Sequence, residues 1–529
     1  MIVVKNVLRR RIFIFVFRFS EKLGLHLITM KIRFAIFPLL VLCATVSMAQ
    51  TKSVIDAFVQ ASFMKNGQFG IVVDNITENK SFCSYNADKL FTPASVMKTV
   101  TTATALQLLG DDFQFETVLE YDGQVTDGVL SGNLYIRGGG DPTLGSSYLP
   151  GDGDARTYRR EQFIEDWINV LKSNGITAIK GNIVSDERIF DDGNISLKWL
   201  GEDLGTYYGA GSFGINVFDN VTKLVLSTEH NPDVPEITGC YPDQPSLKFR
   251  NFIRVVPQAS DSLYIVGLPF SSERYLFGKV PPGKKSISLE GDIPDPALFL
   301  AEYFTRKLEG AGIIVTGKAA SYRLLKEEGK QLPAGKRIPL AVSRSPKLKE
   351  IVRITNYVSH NLYADALLKT IGLKYEGVDK KELSSFDRGI RVLLDYWKQQ
   401  GLDNDALVLY DGSGLSVSDK LTPRFIADVL AFMATRSPHA DVFYKSLPMA
   451  GMEGSVRYFL KETSLQGSRM KSGSMSYVRS YAGYVEWRGM KYAVVVAANN
   501  YKCSGTEIRR QIGKLLVRLF ESAGNKVPE

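Results

Sequence analysis

Pro93-Ala94-Ser95-Val96-Met97-Lys98 decides how this chain is read. Thr92-Pro93 precedes a helical run from Ala94 to Leu109 that Gly110 ends, so Ser95 falls in the first turn of a helix. Lys98 follows three residues later and shares its face. A serine there lies beside backbone N–H groups that have no partner within the helix. A hydroxyl with an amine in reach is equipment for acyl transfer through a serine ester without a histidine base. Taken alone the motif is weak, because a helix-capping serine and a solvated lysine explain it equally well.

Two more short motifs follow in order: Ser359-His360-Asn361, then Lys471-Ser472-Gly473. The first adds a hydroxyl and an amide within an apolar helical stretch from Lys347 to Ile371. The second adds a cation, a hydroxyl and a glycine on a strand. Each has a bland alternative, Asn361 as a buried amide and Lys471 as a surface charge. Three in this order, each in a suitable setting, point to one serine-acylating site. S-x-x-K, S-x-N and K-[ST]-G in sequence are the set found in penicillin-binding proteins and class A β-lactamases. The 260 residues between Lys98 and Ser359 exceed what one compact catalytic domain needs, which predicts an insertion.

The flanks of these motifs predict how they meet. Phe69–Asp74 and Lys80–Tyr85 read as a hairpin near the beginning; Gly467–Gly473, Tyr481–Trp487 and Lys491–Asn499 read as antiparallel strands near the end. A closing helix is expected over Thr506–Ala523. One sheet made from both ends would bring Lys98 and Lys471 together. Helices are also expected from Pro296 to Gly312, from Phe386 to Gly401 and after Leu421-Thr422-Pro423, with a tight loop at Asp411-Gly-Ser-Gly-Leu-Ser416. Residues 221–290 read as β-rich. Gly138-Gly139-Gly140 lacks a following Lys-Ser/Thr and a helix start, so it reads as a structural turn and not as a phosphate loop.

The 529 residues carry a formal charge of +9, but residues 1–49 hold eight Lys/Arg against one Glu, leaving +2 for the rest. So nearly neutral a body gives no case for nucleic acid. Met30-Lys-Ile-Arg33, the apolar run Phe34–Val46 and Ser47-Met48-Ala49 read as a signal peptide that starts at Met30 and is cleaved after Ala49, which predicts a periplasmic protein with at most peripheral membrane contact. Of the mature cysteines Cys83, Cys240 and Cys503, at most two can pair, and three separate thiols are expected. No CxxC, H-E-x-x-H or Cys/His cluster supports a metal, and no cofactor is expected. His360 does not follow a G-x-S-x-G elbow, so a Ser-His-Asp triad is not expected.

The chain resembles the D-alanyl-D-alanine carboxypeptidase/endopeptidase family of penicillin-binding proteins, peptidase family S13. The likeness rests on Pro93–Lys98, Leu348–Asn356, Ser359–Asn361, Asp411–Ser416, Lys471–Gly473 through Tyr484, and in the intervening part Gly139–Leu144 and Gly181–Phe190. It implies an α/β fold, with a β-lactamase/DD-peptidase-like transpeptidase domain over 50–118 plus 335–529 and two inserted, mostly β domains over 119–218 plus 291–334 and over 219–290. It implies peptidoglycan stem peptides as substrates and β-lactam antibiotics as covalent inhibitors. Catalytic roles fall to Ser95 as nucleophile, Lys98 as base, with burial and the cation Lys471 lowering its pKa, Ser359 as proton relay, Asn361 and Lys471. Substrate contacts fall to Ser472, Gly473, Ser474, Leu415 and Asp186, the last meeting a side-chain amine. Val417 stands where the family often has Arg for the carboxylate of diaminopimelate. His360 replaces a common Asp, and Ser472 a common Thr. A β-lactamase-like hydrolase and a non-catalytic cell-wall scaffold are the alternatives. The first lacks a Glu-x-x-x-Asn for deacylation; the second would need a damaged motif.

Overall fold

The computed structural model describes residues 51–149, 160–231, 233–258, 260, 262–330 and 335–522. The signal-peptide reading over residues 1–49 lies outside them. Residues 66–510 form one compact unit that contains every residue of the site; the described residues 51–65 and 511–522 fall in another. Among the described residues no helix is long and apolar enough to cross a membrane.

The two ends of the chain build one five-stranded antiparallel sheet. Its order is Arg469–Met475, Val478–Trp487, Met490–Asn499, Gln68–Asn75, Lys80–Tyr85. Ile71 lies opposite Val496 on one side and Tyr85 on the other, and Val496 in turn faces Tyr481. The central strand carries Val494-Val495-Val496, buried on both faces, as a strand covered on two sides requires. The helix Met97–Leu109 is buried from Met97 to Leu106, although four of those residues are threonines. Their hydroxyls are satisfied: Thr102 and Thr104 donate to Lys98 and Val100 carbonyls four residues back, Thr99 to Val96 O, and Thr101 to Gly412 O at 2.7 Å. Trp397, fully buried in the helix Ser385–Gln399, donates to Thr104 Oγ1 at 2.8 Å and ties that helix to this one.

Between the first two motifs the described residues form four further sheets. A five-stranded sheet joins Ala319–Ser321, Ile183–Asp186, Leu134–Arg137, Glu116–Tyr121 and Ile338–Arg344. The helices Gln162–Ser173 and Pro296–Gly310 lie against it through Trp167, Leu300 and Phe304, in an apolar core of its own. The strands Val221–Ser227, Glu236–Tyr241 and Ile287–Asp292 form a small sheet, and with the sheet around Glu273–Val280 they enclose a separate core of Leu224, Leu276, Leu289 and neighbours. Ile338–Arg344 is laddered to Glu116–Tyr121, with Val342 opposite Val118. Boundaries at 118/119 and 334/335 would therefore cut this sheet in two.

The helical stretch expected from Lys347 to Ile371 is interrupted. Leu348–Ile354 is α-helical, Thr355–Ser359 winds as a π turn, and a new helix starts at Asn361 and runs to Gly372. Ser359 takes φ 66°, a left-handed conformation that a side chain disfavours. The three cysteines are unpaired with one another.

Candidate active site

The site is assembled from four places in the sequence. Ser95 lies in a short 3-10 turn, Ala94–Val96, which leads directly into the helix from Met97. Ala94 has φ 47°, so the chain bends sharply just before the serine. Strain of this kind persists where surrounding structure fixes it, and here it leaves Ser95 half-buried while its neighbours are covered.

Lys98 is fully buried. Its Nζ lies 3.0 Å from Ser95 Oγ, 2.6 Å from Asn361 Oδ1 and 2.6 Å from the Ser413 carbonyl. The last two are obligate acceptors. A neutral amine donates its two N–H groups to them, and its lone pair then faces the Ser95 hydroxyl. Burial pushes the amine down to about 8, while the carboxylates of Asp365 and Asp411 pull the other way.

Lys471 is the second buried cation. Its Nζ donates to Ser359 Oγ at 2.8 Å and to the Ser472 carbonyl at 2.7 Å. Burial, and then repulsion from Lys98, hold it well below its ordinary value. Of the two causes expected to lower Lys98, burial and the cation Lys471, burial is the larger, and the repulsion between the two buried ammonium groups disfavours the charge of either while the other is charged.

Gly473 explains why the third motif needs glycine. A Cβ there would lie 2.3 Å from Ser480 Oγ, 2.6 Å from Pro93 O and 3.1 Å from Ser95 N. The strand thus packs its backbone directly on the peptide of Ser95. Ser472 is nearly buried, and its hydroxyl meets Ser455 Oγ at 3.1 Å; Ser474 is exposed on the same strand.

The loop Asp411–Ser416 is wound around a carboxylate. Asp411 Oδ1 accepts from Ser413 N and Gly414 N, and Oδ2 from Ser416 N and from Trp199 Nε1 at 2.7 Å. Asp365 fixes the same loop by accepting from Gly412 N at 2.9 Å. Burial raises the Asp365 carboxyl, with Asp411 adding to the rise. Gly414 has φ 73°, and a Cβ there would be 2.0 Å from Ala94 O, so the loop too lies hard against the Ala94–Val96 turn. Leu415 is buried beside it, and Val417 is partly exposed. Lys420, the nearest cation in sequence to Val417, has its Nζ among Thr92 Oγ1, Val417 O and Asp419 O, so its three donors are committed.

Asp186 does not join this cluster, contrary to the role expected of it. Its carboxylate is held by Arg188, at 2.7 and 2.5 Å, and by Arg337 at 2.8 Å. Burial opposes ionisation, but the two guanidinium groups outweigh it and hold the acid below its ordinary range. Arg337 also donates to Glu120 at 2.9 Å, so Asp186 is one member of a network of paired charges and its oxygens are engaged within the protein.

A model of the D-Ala-D-Ala carboxypeptidase 3 (S13) family matches residues 51–519. The chain belongs to this family. It is 26% identical over 455 residues to the D-alanyl-D-alanine carboxypeptidase DacB of Haemophilus influenzae, covering 84% of this chain and 88% of that one. It is 26% identical over 493 residues to the D-alanyl-D-alanine carboxypeptidase of Actinomadura sp. strain R39, covering 90% and 85%. The crystal structure of penicillin binding protein 4 from H. influenzae has the same fold, with a TM-score of 0.72 at 24% identity over 86% of this chain and 96% of that one.

The structure brings residues of the three motifs together: Lys98 meets Ser95 and Asn361, and Lys471 meets Ser359. What the motifs do not supply is the support beneath them. The Ser413 carbonyl, Asp365, Asp411 and Trp199 act through backbone geometry or lie far from the motifs in sequence. Only the density of Gly and Ser in Asp411–Ser416 signals the loop. His360 is a further surprise: its Nε2 is 3.6 Å from Asp219 Oδ1, and its ring stacks on Tyr363 at 4.2 Å.

Proposed function

We propose that this protein is a serine D-alanyl-D-alanine carboxypeptidase that also cleaves D-Ala cross-links as an endopeptidase, acting on peptidoglycan stem peptides in the periplasm. The observation that carries the reading is the placing of Lys98 Nζ: 3.0 Å from Ser95 Oγ while two fixed acceptors occupy its N–H groups.

Ser95 Oγ attacks the carbonyl of the penultimate D-Ala and gives its proton to neutral Lys98. The oxyanion is stabilised by the N–H groups of Ser95 and Ser474. The amide C–N bond breaks as the departing amine takes a proton through the Ser359 hydroxyl, which Lys471 orients. Lys471 and Ser472 hold the carboxylate of the departing residue. That carboxylate is the counter-ion Lys471 lacks in the empty site, so substrate binding favours its charged form. Water then attacks the Ser95 ester, the D-Ala acid leaves, and Oγ recovers its proton. A β-lactam enters by the same first step and forms a penicilloyl ester.

The sheets and cores described above support two inserted domains. We place the boundaries of the first near Glu116 and Arg344, so that its sheet stays whole.

The test is incubation with a stem pentapeptide ending in D-Ala-D-Ala, followed by chromatography of free D-Ala. Release by the wild type and none by Ser95→Ala is expected. Release by both, or by neither, would reject the reading.

A further inference from the structure

The sheet around Glu273–Val280 has one face without cover. That strand pairs with Lys248–Asn251, Arg254–Val255 and Ser262–Val266. Its side chains alternate between the two faces. Arg274, Leu276 and Val280 are fully buried on the inner side, while Glu273, Tyr275, Phe277 and Lys279 lie on the outer one. The register sets Arg250 beside Tyr275, Tyr264 beside Phe277, and both Arg254 and Ser262 beside Lys279 on that outer side.

Four aromatic rings form a row there: Tyr264, Phe277, Phe252 and Tyr275. Their centroids are 5.7, 5.5 and 6.4 Å apart in that order, and neighbouring planes lie within 24° of parallel. Tyr264 is 51% exposed, Phe252 56% and Tyr275 38%, although the solvated face of a sheet ordinarily carries polar side chains. The row is fixed at one end, where the Tyr275 hydroxyl donates to Glu273 Oε2 at 2.8 Å.

The charge around the row is one-sided. Among the described residues of this face, Lys248, Arg250, Arg254 and Lys279 stand against Glu273 alone. Arg250 pairs with Glu273 at 2.8 Å, and Lys248, Arg254 and Lys279 have no ion-pair partner among the described residues. The row also leads toward the active site. Tyr264 lines a groove with about 540 Å³ of free space together with Tyr207 and Tyr208, and the Tyr208 carbonyl accepts from Asn361 Nδ2 at 2.9 Å.

We propose that this face is a docking surface for the peptidoglycan strand that carries the substrate: sugar rings of the glycan lie on the aromatic row, and free carboxylates of its stem peptides pair with Lys248, Arg254 and Lys279. This rests on the proposed action on stem peptides. The faces of aromatic rings carry partial negative charge and attract the polarised C–H groups that line a pyranose. One occupant thus accounts for both the rings and the cations, and holding the polymer beside the groove raises the concentration of peptide ends at Ser95. A lipid surface also attracts aromatic and basic groups. Here, however, the rings are stacked on one another and Tyr275 is tied to Glu273, which suits rigid sugar rings better than a fluid surface.

The experiment sediments the protein with purified peptidoglycan sacculi, in wild type, the double variant Phe252→Ala/Tyr275→Ala, and Lys279→Glu. The substituted side chains are exposed and lie outside the groove. Affinity for sacculi is expected to fall about tenfold in each variant, while kcat/KM on a soluble D-Ala-D-Ala pentapeptide stays at the wild-type value. Wild-type affinity in either variant, or a wild type that does not sediment, overturns the docking face. A kcat/KM that falls together with the affinity in both variants places the effect in the catalytic site and overturns it as well. Flotation with vesicles of phosphatidylethanolamine and phosphatidylglycerol is the other arm: vesicle binding that the variants lose while they keep sacculus binding assigns the face to a membrane and overturns the proposal. Sedimentation needs no turnover. A wild type that binds sacculi through this face but releases no D-Ala from the pentapeptide rejects the enzyme reading and leaves the docking face standing.

Discussion

Lys98 has two of its three hydrogen-bonding directions fixed by Asn361 and Ser413, and the third meets Ser95. Because the neutral amine is the working form and burial pushes it down to about 8, penicillin acylation should rise with pH through that region and level off above it. Lys98→Ala should acylate about 10²–10⁴-fold more slowly and lose this rise, both read from stopped-flow acylation across pH. A wild-type-like rate would remove Lys98 from the mechanism. Asp365 pulls the Lys98 pKa upward, so Asp365→Asn should move the acylation profile to lower pH. A profile that stays in place would mean the carboxylate acts on the loop alone. At this scale the sequence was informative about which side chains come together, Ser95, Lys98, Ser359, Asn361 and Lys471, because residue type and spacing are local. It was silent on Ser413, whose contribution is a main-chain carbonyl.

Elements matter here through close backbone approach. The strand carrying Lys471 and the loop carrying Ser413 both touch the Pro93–Ser95 turn at glycines, Gly473 and Gly414. Gly473→Ala cannot be accommodated without moving the strand, since Pro93 O and Ser95 N are backbone atoms. We expect a loss of about 1–3 kcal/mol in denaturant unfolding, and acylation slowed further than the fraction folded explains. Wild-type stability and acylation together would show that the strand does not rest on the Pro93–Ser95 turn. The strands and helices themselves were legible from alternation and periodicity; Lys80–Tyr85 was read with its observed bounds. The π turn at Thr355–Ser359 was not, because the apolar positions keep a helical spacing through it and nothing in Ser359-His360 announces a break.

Over the whole molecule, the gap between the first two motifs is what predicts an insertion, while nothing local marks where its edges would fall. Ile338–Arg344 finds its partner Glu116–Tyr121 more than 200 residues away in sequence, and no local pattern reports such pairing. The same blindness affected Asp186: a carboxylate in a matching segment reads as a substrate contact, but the fold brings Arg337 onto it from distant sequence. Asp186→Ala should therefore leave Arg188 without its acid and Arg337 with Glu120 alone. The expected result is a lower Tm, with the ratio of kcat/KM between amine-bearing and amine-blocked peptides unchanged. A selective loss on amine-bearing peptides at unaltered Tm would restore the contact to substrate.

Ser95 as the acylated residue is the claim on which the rest depends. Its most direct test is to trap the penicilloyl adduct, digest the protein and locate the added mass by tandem mass spectrometry. The account predicts one adduct per chain, on the peptide that contains Pro93–Lys98 and at Ser95, and none in Ser95→Ala. An adduct on any other residue, or labelling that survives Ser95→Ala, would contradict it.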